Sequence, residues 1–270
     1  MQYTTIDNTD VRVSRISFGT ASLHHLFSAK QRQRLLDGAA VSGITHFDTS
    51  PYYGYGLAES DLGVFMRGNR DRFTVTTKVG LYPFGFAAHS ALDVWVRKAA
   101  GKAYARLSAP KVDWRVQIAA ESLNASLKRL KTDYVDFLFL HEPEINLLNI
   151  EEFLRWLENE QSNGKVRYWG LAGLPSLLEP WLRIDHSLAS VLQTKDDLVS
   201  KSADFVLSSG RKLQFTYGYL SSQLGSDSVQ SAADLVRSAL MRNTQGSLLV
   251  STRRAEHIKL ITGVVNDERH

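Results

Sequence analysis

Four ionisable side chains, far apart in the chain, stand at or just beyond the ends of apolar stretches. Asp48 ends the short run at residues 44–47, Lys78 ends a run rich in β-branched residues, and His141 ends the run YVDFLFLH. Tyr53 follows Asp48 in a glycine-rich loop. In parallel α/β folds the carboxyl ends of the strands meet at one face, where catalytic side chains lie. We therefore expect these four residues to share one pocket.

This set of residue types suits acid–base chemistry on a carbonyl or an alcohol. Lys78 beside Tyr53 would favour the phenolate and lower the pKa of the tyrosine from its usual value of about 10. Asp48, buried with Lys78, would keep that lysine charged and in place, and His141 would orient a carbonyl oxygen. Tyr53 would then give a proton to a carbonyl that is reduced, or take one from an alcohol that is oxidised. Taken alone, each residue is more often an ion-pair, cap or core residue, so the prediction depends on the set.

The surrounding segments alternate between strand patterns and helix patterns. Strand patterns lie at residues 14–20, 44–48, 73–78, 134–141, 166–172, 190–193, 212–216 and 247–251. Helix patterns follow them, with a capping box at residues 28–31, a cap at Asn149, and later helices near residues 176–184, 197–208, 229–241 and 254–261. Eight β/α units without a linker predict a closed (β/α)8 TIM barrel, with residues 1–270 as a single domain. A doubly wound open sheet is the alternative, but no G-x-G-x-x-G follows any strand.

Two segments stand outside this alternation. Residues 2–6 and 11–14 flank turn-forming residues and predict a short N-terminal β-hairpin. Residues 81–111 form a long loop or helix insertion after the third strand, with Lys98, Lys102, Arg106 and Lys111 along it. We hypothesise that this insertion supplies part of a substrate wall, suited to an acidic or extended substrate, or a partner surface. The alternative is an extra helix packed on the rim of the barrel.

Composition excludes several classes of function. The net charge of +4 is spread along the chain rather than gathered in a basic stripe, so we expect no nucleic-acid partner. The absence of cysteine excludes disulfides, thiolate metal sites and a thiol nucleophile. The polar N-terminus and the lack of a long apolar run predict no signal peptide and no membrane association, so we expect a cytoplasmic protein.

Several motifs together resemble the aldo-keto reductase superfamily. The stretch DTSPYYG at residues 48–54, with Glu59 and the Leu-Gly pair at 62–63, resembles the signature D-T-A-x-x-Y-G…E…L-G. Lys78 resembles the lysine on strand three of the family, and residues 134–141 resemble its Y-V-D…H strand. GKVRYWG at residues 164–170 is similar to the segment before strand five. The form PYYGYGLAE looks closest to the bacterial sugar dehydrogenase branch.

The resemblance implies a (β/α)8 barrel that uses a nicotinamide cofactor, NADP(H) rather than NAD(H), without a metal. It assigns Tyr53 as general acid and base, Lys78 and Asp48 as the pair that tunes it, and His141 as the residue that orients a carbonyl or sugar substrate. The residues that it assigns to the cofactor are Gly19, Thr20, Asp48, Ala172, Gly173, Gln193, Tyr217, Gly218, Leu220, Ser251, Thr252, Arg253, Arg254 and His257. Arg253 and Arg254, near a helix N-terminus, suit the adenosine phosphate by their charge.

One cofactor position departs from the family. Ala172-Gly173 stands where the family commonly has Ser-Asn, which holds the nicotinamide carboxamide, and neither side chain here can form that hydrogen bond. Tyr217 is the best match for the tyrosine that stacks on the nicotinamide, with Phe215 and Tyr219 as alternatives and a core position also open. An alternative function is therefore a non-redox sugar-processing enzyme or a binding or regulatory subunit that has lost productive nicotinamide binding.

Overall fold

Eight parallel strands pair edge to edge until the last one reaches the first, so the sheet closes into a barrel. In this computed structural model the described residues are 1–85, 87–88, 90–103, 110–184, 187–220 and 231–267. The strands are β1 Tyr3–Thr5, β2 Arg12–Ser14, β3 Ile16–Gly19, β4 His46–Asp48, β5 Thr74–Val79, β6 Leu81–Tyr82, β7 Lys111–Val112, β8 Val135–His141, β9 Val166–Gly173, β10 Leu192–Lys195, β11 Phe215–Tyr217 and β12 Ser247–Val250.

The barrel order is β3-β4-β5-β8-β9-β10-β11-β12, and β12 returns to β3 through the register Leu248 opposite Ile16. This closure confirms the predicted barrel and excludes an open sheet. Helices lie between and after the strands. Their bounds are α1 Ala29–Val41, α2 Leu57–Phe65, α3 Ala91–Ala103, α4 Val116–Leu130, α5 Ile150–Ser162, α6 Pro175–Arg183, α7 Asp204–Ser208, α8 Ala232–Arg242 and α9 Ala255–Asp267.

The N-terminal hairpin fills the end of the barrel where the strands begin. β1 and β2 pair antiparallel, as predicted. Ile6, Val11 and Val13 are fully buried and belong to one apolar cluster with Phe137 and Phe215 of the barrel strands. The hairpin thereby closes the amino-terminal end, and the carboxyl ends of the strands remain available for a site.

Several predicted boundaries differ from the structure for local reasons. The strands predicted at 190–193 and 212–216 begin two and three residues later, at β10 and β11. The helix predicted at 197–208 shortens to α7, because Asp197 accepts backbone hydrogen bonds from Val199 and Ser200 and holds a turn there. The helix predicted at 229–241 is α8; residues 229 and 230 lie outside the described residues.

The two predicted helix caps behave differently. Asn149 caps α5 by accepting from the Glu152 amide at 3.3 Å, as predicted. Ser28 occupies the cap position of α1 but makes no side-chain capping hydrogen bond, so the predicted capping box is wrong. None of the helices in the described ranges qualifies as a membrane span.

The insertion after the third barrel strand forms a small ribbon and a helix against the rim. β6 pairs antiparallel with β7, and α3 packs through Ala91 and Val94 onto Tyr55 and Leu57. The Ala88 amide donates to the Tyr55 carbonyl at 2.8 Å, which ties the insertion to the loop that carries Tyr53. Lys98, Lys102 and Arg106 lie outside the described side chains.

Candidate active site

A buried ion pair lies at the carboxyl end of two neighbouring barrel strands. Lys78 of β5 donates from Nζ to both carboxylate oxygens of Asp48 on β4, at 2.7 and 2.6 Å, and to the Thr49 carbonyl at 2.9 Å. Both side chains of the pair are 1% exposed. Burial lowers the pKa of Lys78 and Asp48 opposes that shift. The three donors of the ammonium group are therefore all engaged.

Tyr53 is held over this pair by a turn in the loop between β4 and α2. Gly54, Tyr55 and Gly56 have positive φ values of 60°, 56° and 83°, which turns the chain back sharply. Lys78 Nζ lies 5.1 Å from the Tyr53 ring centroid, within cation–π range.

The pKa of Tyr53 moves opposite to the sequence-based expectation. Burial, followed by the negative charge of Asp48, raises the pKa of Tyr53 well above 10. The physical reason is that burial removes the phenol from water, which disfavours the charged phenolate, and that the nearby Asp48 carboxylate adds to this effect. The expected lowering of the pKa by Lys78 is wrong.

His141 completes the group at the end of β8. Its ring stands perpendicular to that of Tyr53, with the centroids 6.2 Å apart. Burial, followed by the charge of Lys78, lowers the pKa of His141 to about 3. The imidazole is therefore neutral at physiological pH and can orient an oxygen by a hydrogen bond without carrying charge.

A cavity of about 370 Å³ opens above these residues at the carboxyl end of the barrel. Eleven of the predicted site residues line it: Gly19, Asp48, Tyr53, His141, Ala172, Gly173, Gln193, Tyr217, Gly218, Leu220 and Ser251. Of the three aromatic candidates, Tyr217 and Tyr219 line the cavity, whereas Phe215 is fully buried in the barrel interior. Among the described residues none from 81–111 lines it, and the hypothesis that the insertion supplies part of a substrate wall or a partner surface stays a prediction.

The remaining predicted site residues lie around the cavity rather than in its wall. Lys78 lies beneath Asp48, and Thr20 is buried and donates to the Asp48 carbonyl at 3.0 Å. Thr252, Arg253, Arg254 and His257 follow Ser251 at the start of α9. Both arginines and His257 are exposed, and Thr252 accepts from the Arg254 amide at 3.2 Å.

Gln193 is directed towards the ion pair. Its amide Nε2 donates to Asp48 Oδ2 at 2.7 Å, so Asp48 receives hydrogen bonds from both Lys78 and Gln193. At Ala172 and Gly173 the cavity wall offers no polar side chain, as the sequence shows.

Sequence reasoning missed several residues of the cavity. Glu142, directly after His141, lines it, and so do the apolar side chains Ala21, Val236, Ala239 and Leu248–Val250. Glu142 could have been found from the sequence, because it directly follows the strand-end histidine His141. The α8 residues carried no signal, because their spacing indicates only a packed helix face.

The comparison with known families decides the classification. A model of the aldo/keto reductase family matches residues 15–177. The chain belongs to the aldo/keto reductase family. L-galactose dehydrogenase of Arabidopsis thaliana is 30% identical over 178 residues, 63% of this chain and 48% of that protein. D-threo-aldose 1-dehydrogenase of a Pseudomonas species is 31% identical over 172 residues, 61% of this chain and 51% of that protein.

This aldo/keto reductase chain spans about half the length of the curated relatives it matches. Its fold matches over nearly the whole chain. An aldo-keto reductase from Bacillus halodurans, solved in its holo form, superposes with a TM-score of 0.74 at 20% identity, covering 98% of this chain and 91% of that one.

Proposed function

We propose that this chain is an NAD(P)-dependent oxidoreductase that interconverts a carbonyl and an alcohol. The observation that carries the proposal is the joint placement of Tyr53 and His141 in the cavity wall above the Asp48–Lys78 pair. Barrel packing does not require a buried lysine beside an aspartate and a tyrosine, whereas proton transfer to a bound oxygen does require such groups in one pocket.

Tyr53 is the proton donor in the proposed reaction. Its raised pKa keeps the phenol protonated at neutral pH, which suits reduction of a carbonyl. Neutral His141 hydrogen-bonds the same oxygen and fixes its direction. The buried Lys78–Asp48 pair holds the Tyr53 ring from below and places a positive group near the developing charge.

The residues present suit a nicotinamide cofactor in part. Gly19, Gly173 and Gly218 line the cavity without side chains, so a flat ring can approach the backbone closely, and Tyr217 offers an aromatic face. When bound, the cofactor supplies or accepts the hydride. Gln193 keeps one amide oxygen free to accept from a carboxamide, because its nitrogen is bonded to Asp48.

We further propose a preference for NADP(H) over NAD(H), supported by the residues at the start of α9. Arg253 and Arg254 are exposed beside Ser251, which lines the cavity. Two guanidinium groups and the N-terminal amides of a helix suit a phosphate. We therefore assign the adenosine phosphate to Arg253, Arg254, Thr252 and His257.

A sugar is the proposed substrate class. Two relatives are dehydrogenases whose names specify L-galactose and D-threo-aldose. The family match at residues 15–177 includes Asp48, Tyr53, Lys78 and His141. An aldose or its lactone product is thus the first substrate pair to test.

The testing experiment is a fluorescence titration of the purified protein with NADPH and, separately, with NADH. The five tryptophans report binding by quenching or energy transfer. We expect NADPH to bind more tightly than NADH, and Arg253→Ala with Arg254→Ala to reduce that difference. Lys201→Ala with Lys212→Ala, which removes two charges away from the cavity wall, is the matched control. The absence of binding by either nucleotide would contradict the proposal.

A second candidate is a barrel that binds a sugar or a protein partner without hydride transfer. The observations that favour it are the lack of a polar side chain at Ala172 and Gly173 and the commitment of the Gln193 nitrogen to Asp48. Under this alternative the site retains Tyr53 and His141 for binding or for acid–base chemistry alone. The same titration separates the two, because only the first requires nucleotide affinity.

A further inference from the structure

Glu142, the residue after His141, places an acidic side chain in the wall of the cavity. Its backbone has a φ of 55°, a region that residues with side chains rarely adopt. The Glu142 amide donates to the Ala172 carbonyl at 2.6 Å, and this bond fixes the residue between β8 and β9. A non-glycine residue held in such a conformation is a feature that clusters at functional sites.

The glycine at position 173 makes room for Glu142. A β-carbon at Gly173 would lie 3.3 Å from the Glu142 Cα and 3.7 Å from its Cγ. Contact at 3.3 Å is tight, so a larger residue at position 173 would push Glu142 away from its place. Two neighbouring positions of the cavity wall therefore differ in character: Gly173 has no side chain, and Glu142 carries a carboxylate.

The charge that Glu142 brings to the cavity is not compensated within the described residues. No lysine or arginine side chain among them lines the cavity, and none forms an ion pair with Glu142. The other carboxylate of the wall, Asp48, is paired with Lys78 at 2.6 Å.

The field of Glu142 extends to its neighbours. Burial raises the pKa of Tyr217, and the Glu142 carboxylate is the next largest cause. Glu142 also adds to the raised pKa of Tyr53, after burial, Asp48 and Tyr217. Glu142 therefore contributes negative potential at both Tyr53 and Tyr217.

We propose that Glu142 makes this site select neutral polyhydroxylated carbonyl substrates over anionic ones such as uronates, keto acids and phosphorylated sugars. The inference rests on the proposed function and narrows its substrate class. The carboxylate accepts hydrogen bonds from substrate hydroxyls, whereas a second carboxylate or a phosphate is repelled in a site where burial weakens screening. Lys111, the described member of the basic residues that suggested an acidic substrate, does not line the cavity.

The test compares galactose with galacturonate, which differ by one carboxylate. The rate at which the nicotinamide cofactor is oxidised or reduced is measured with each sugar for wild type, for Glu142→Gln and for the control Glu144→Gln. The Glu144 side chain is exposed and lies outside the cavity wall. The wild type is expected to favour galactose in kcat/KM, and Glu142→Gln is expected to reduce that preference about tenfold, the equivalent of about 1.4 kcal/mol. Glu144→Gln is expected to leave the preference unchanged.

The same pair of sugars is also titrated onto the three proteins by ligand-observed NMR, which does not require turnover. Preferential binding of galactose that Glu142→Gln abolishes supports the inference, even where no turnover occurs and the proposed function fails. An unchanged preference in Glu142→Gln, an equal change in Glu144→Gln, a wild type that favours galacturonate, or one that binds neither sugar each overturns the inference.

Discussion

Lys78→Met leaves the Asp48 carboxylate buried at the carboxyl end of the barrel without its cation. In the native protein each side chain of the pair is 1% exposed, and Lys78 makes three hydrogen bonds at 2.6–2.9 Å. Removing one partner of a buried pair costs about 3–5 kcal/mol, because the other charge stays buried and uncompensated. Asp48 would keep the hydrogen bond from Gln193, and the Thr49 carbonyl would lose its donor.

The assay is urea unfolding followed by tryptophan fluorescence, with the free energy of unfolding extrapolated to water. The matched control is Arg183→Met, because Arg183 and Glu179 form an exposed pair at 2.9 Å whose loss costs less than about 1 kcal/mol. The double variant Lys78→Met with Asp48→Asn should recover part of the loss, since the residual charge is gone. A Lys78→Met variant no less stable than the control, or strictly additive losses in the double variant, would refute the reasoning.

Three further predictions concern other parts of the structure. Gly63→Ala in α2 should lower the free energy of unfolding by about 1–3 kcal/mol in urea melts, because its β-carbon would lie 2.2 Å from the Arg129 carbonyl oxygen. Gly38→Ala in α1 meets nothing within 4 Å and should stabilise by about 0.5–1 kcal/mol; equal effects of the two changes would contradict this. Carbonyl reduction should show no loss of kcat/KM between about pH 6 and pH 9, since the pKa of Tyr53 is raised well above 10 and that of His141 is lowered to about 3. A pH–rate profile with an inflection near pH 6.5 that His141→Gln removes would contradict the neutral imidazole. Finally, burial lowers the pKa of His46 to about 3, so the unfolded chain binds the extra proton and stability falls as pH drops from about 6.5 towards 3. His46→Gln should reduce this slope by up to about 1.4 kcal/mol per pH unit in urea melts, and an unchanged slope would count against it.

The barrel and the strand-end positions of the proposed catalytic residues were predictable because their signals are local. Asp48 and His141 end apolar runs and Lys78 ends a run rich in β-branched residues, and such runs are typical of strands. The positions of β10 and β11 were less predictable. Both strands carry polar residues, and Gln214 just before β11 uses its side chain to bond the Leu192 amide at 2.8 Å.

Features that depend on three-dimensional pairing could not be predicted from the sequence. The direction of the Tyr53 pKa shift depends first on how deeply the phenol is buried and then on its distance from Asp48, and the sequence shows neither. Glu142 has the appearance of a turn residue before Pro143, and only its positive φ and its bond to Ala172 place it in the cavity wall. The composition of residues 81–111 likewise could not show that their described part does not line the cavity.

The central claim is that Tyr53 gives a proton to a carbonyl while a nicotinamide supplies the hydride. The most direct measurement uses NADPH that carries deuterium at its hydride position and a panel of aldehydes and aldoses, with wild type and Tyr53→Phe compared. We predict that the alcohol formed by the wild type carries deuterium on the carbon that was the carbonyl carbon of the substrate. For Tyr53→Phe we predict a rate lower by about 10²–10⁴-fold with NADPH affinity nearly unchanged. Tight NADPH binding without any deuterium transfer, or full activity of Tyr53→Phe, would contradict the claim.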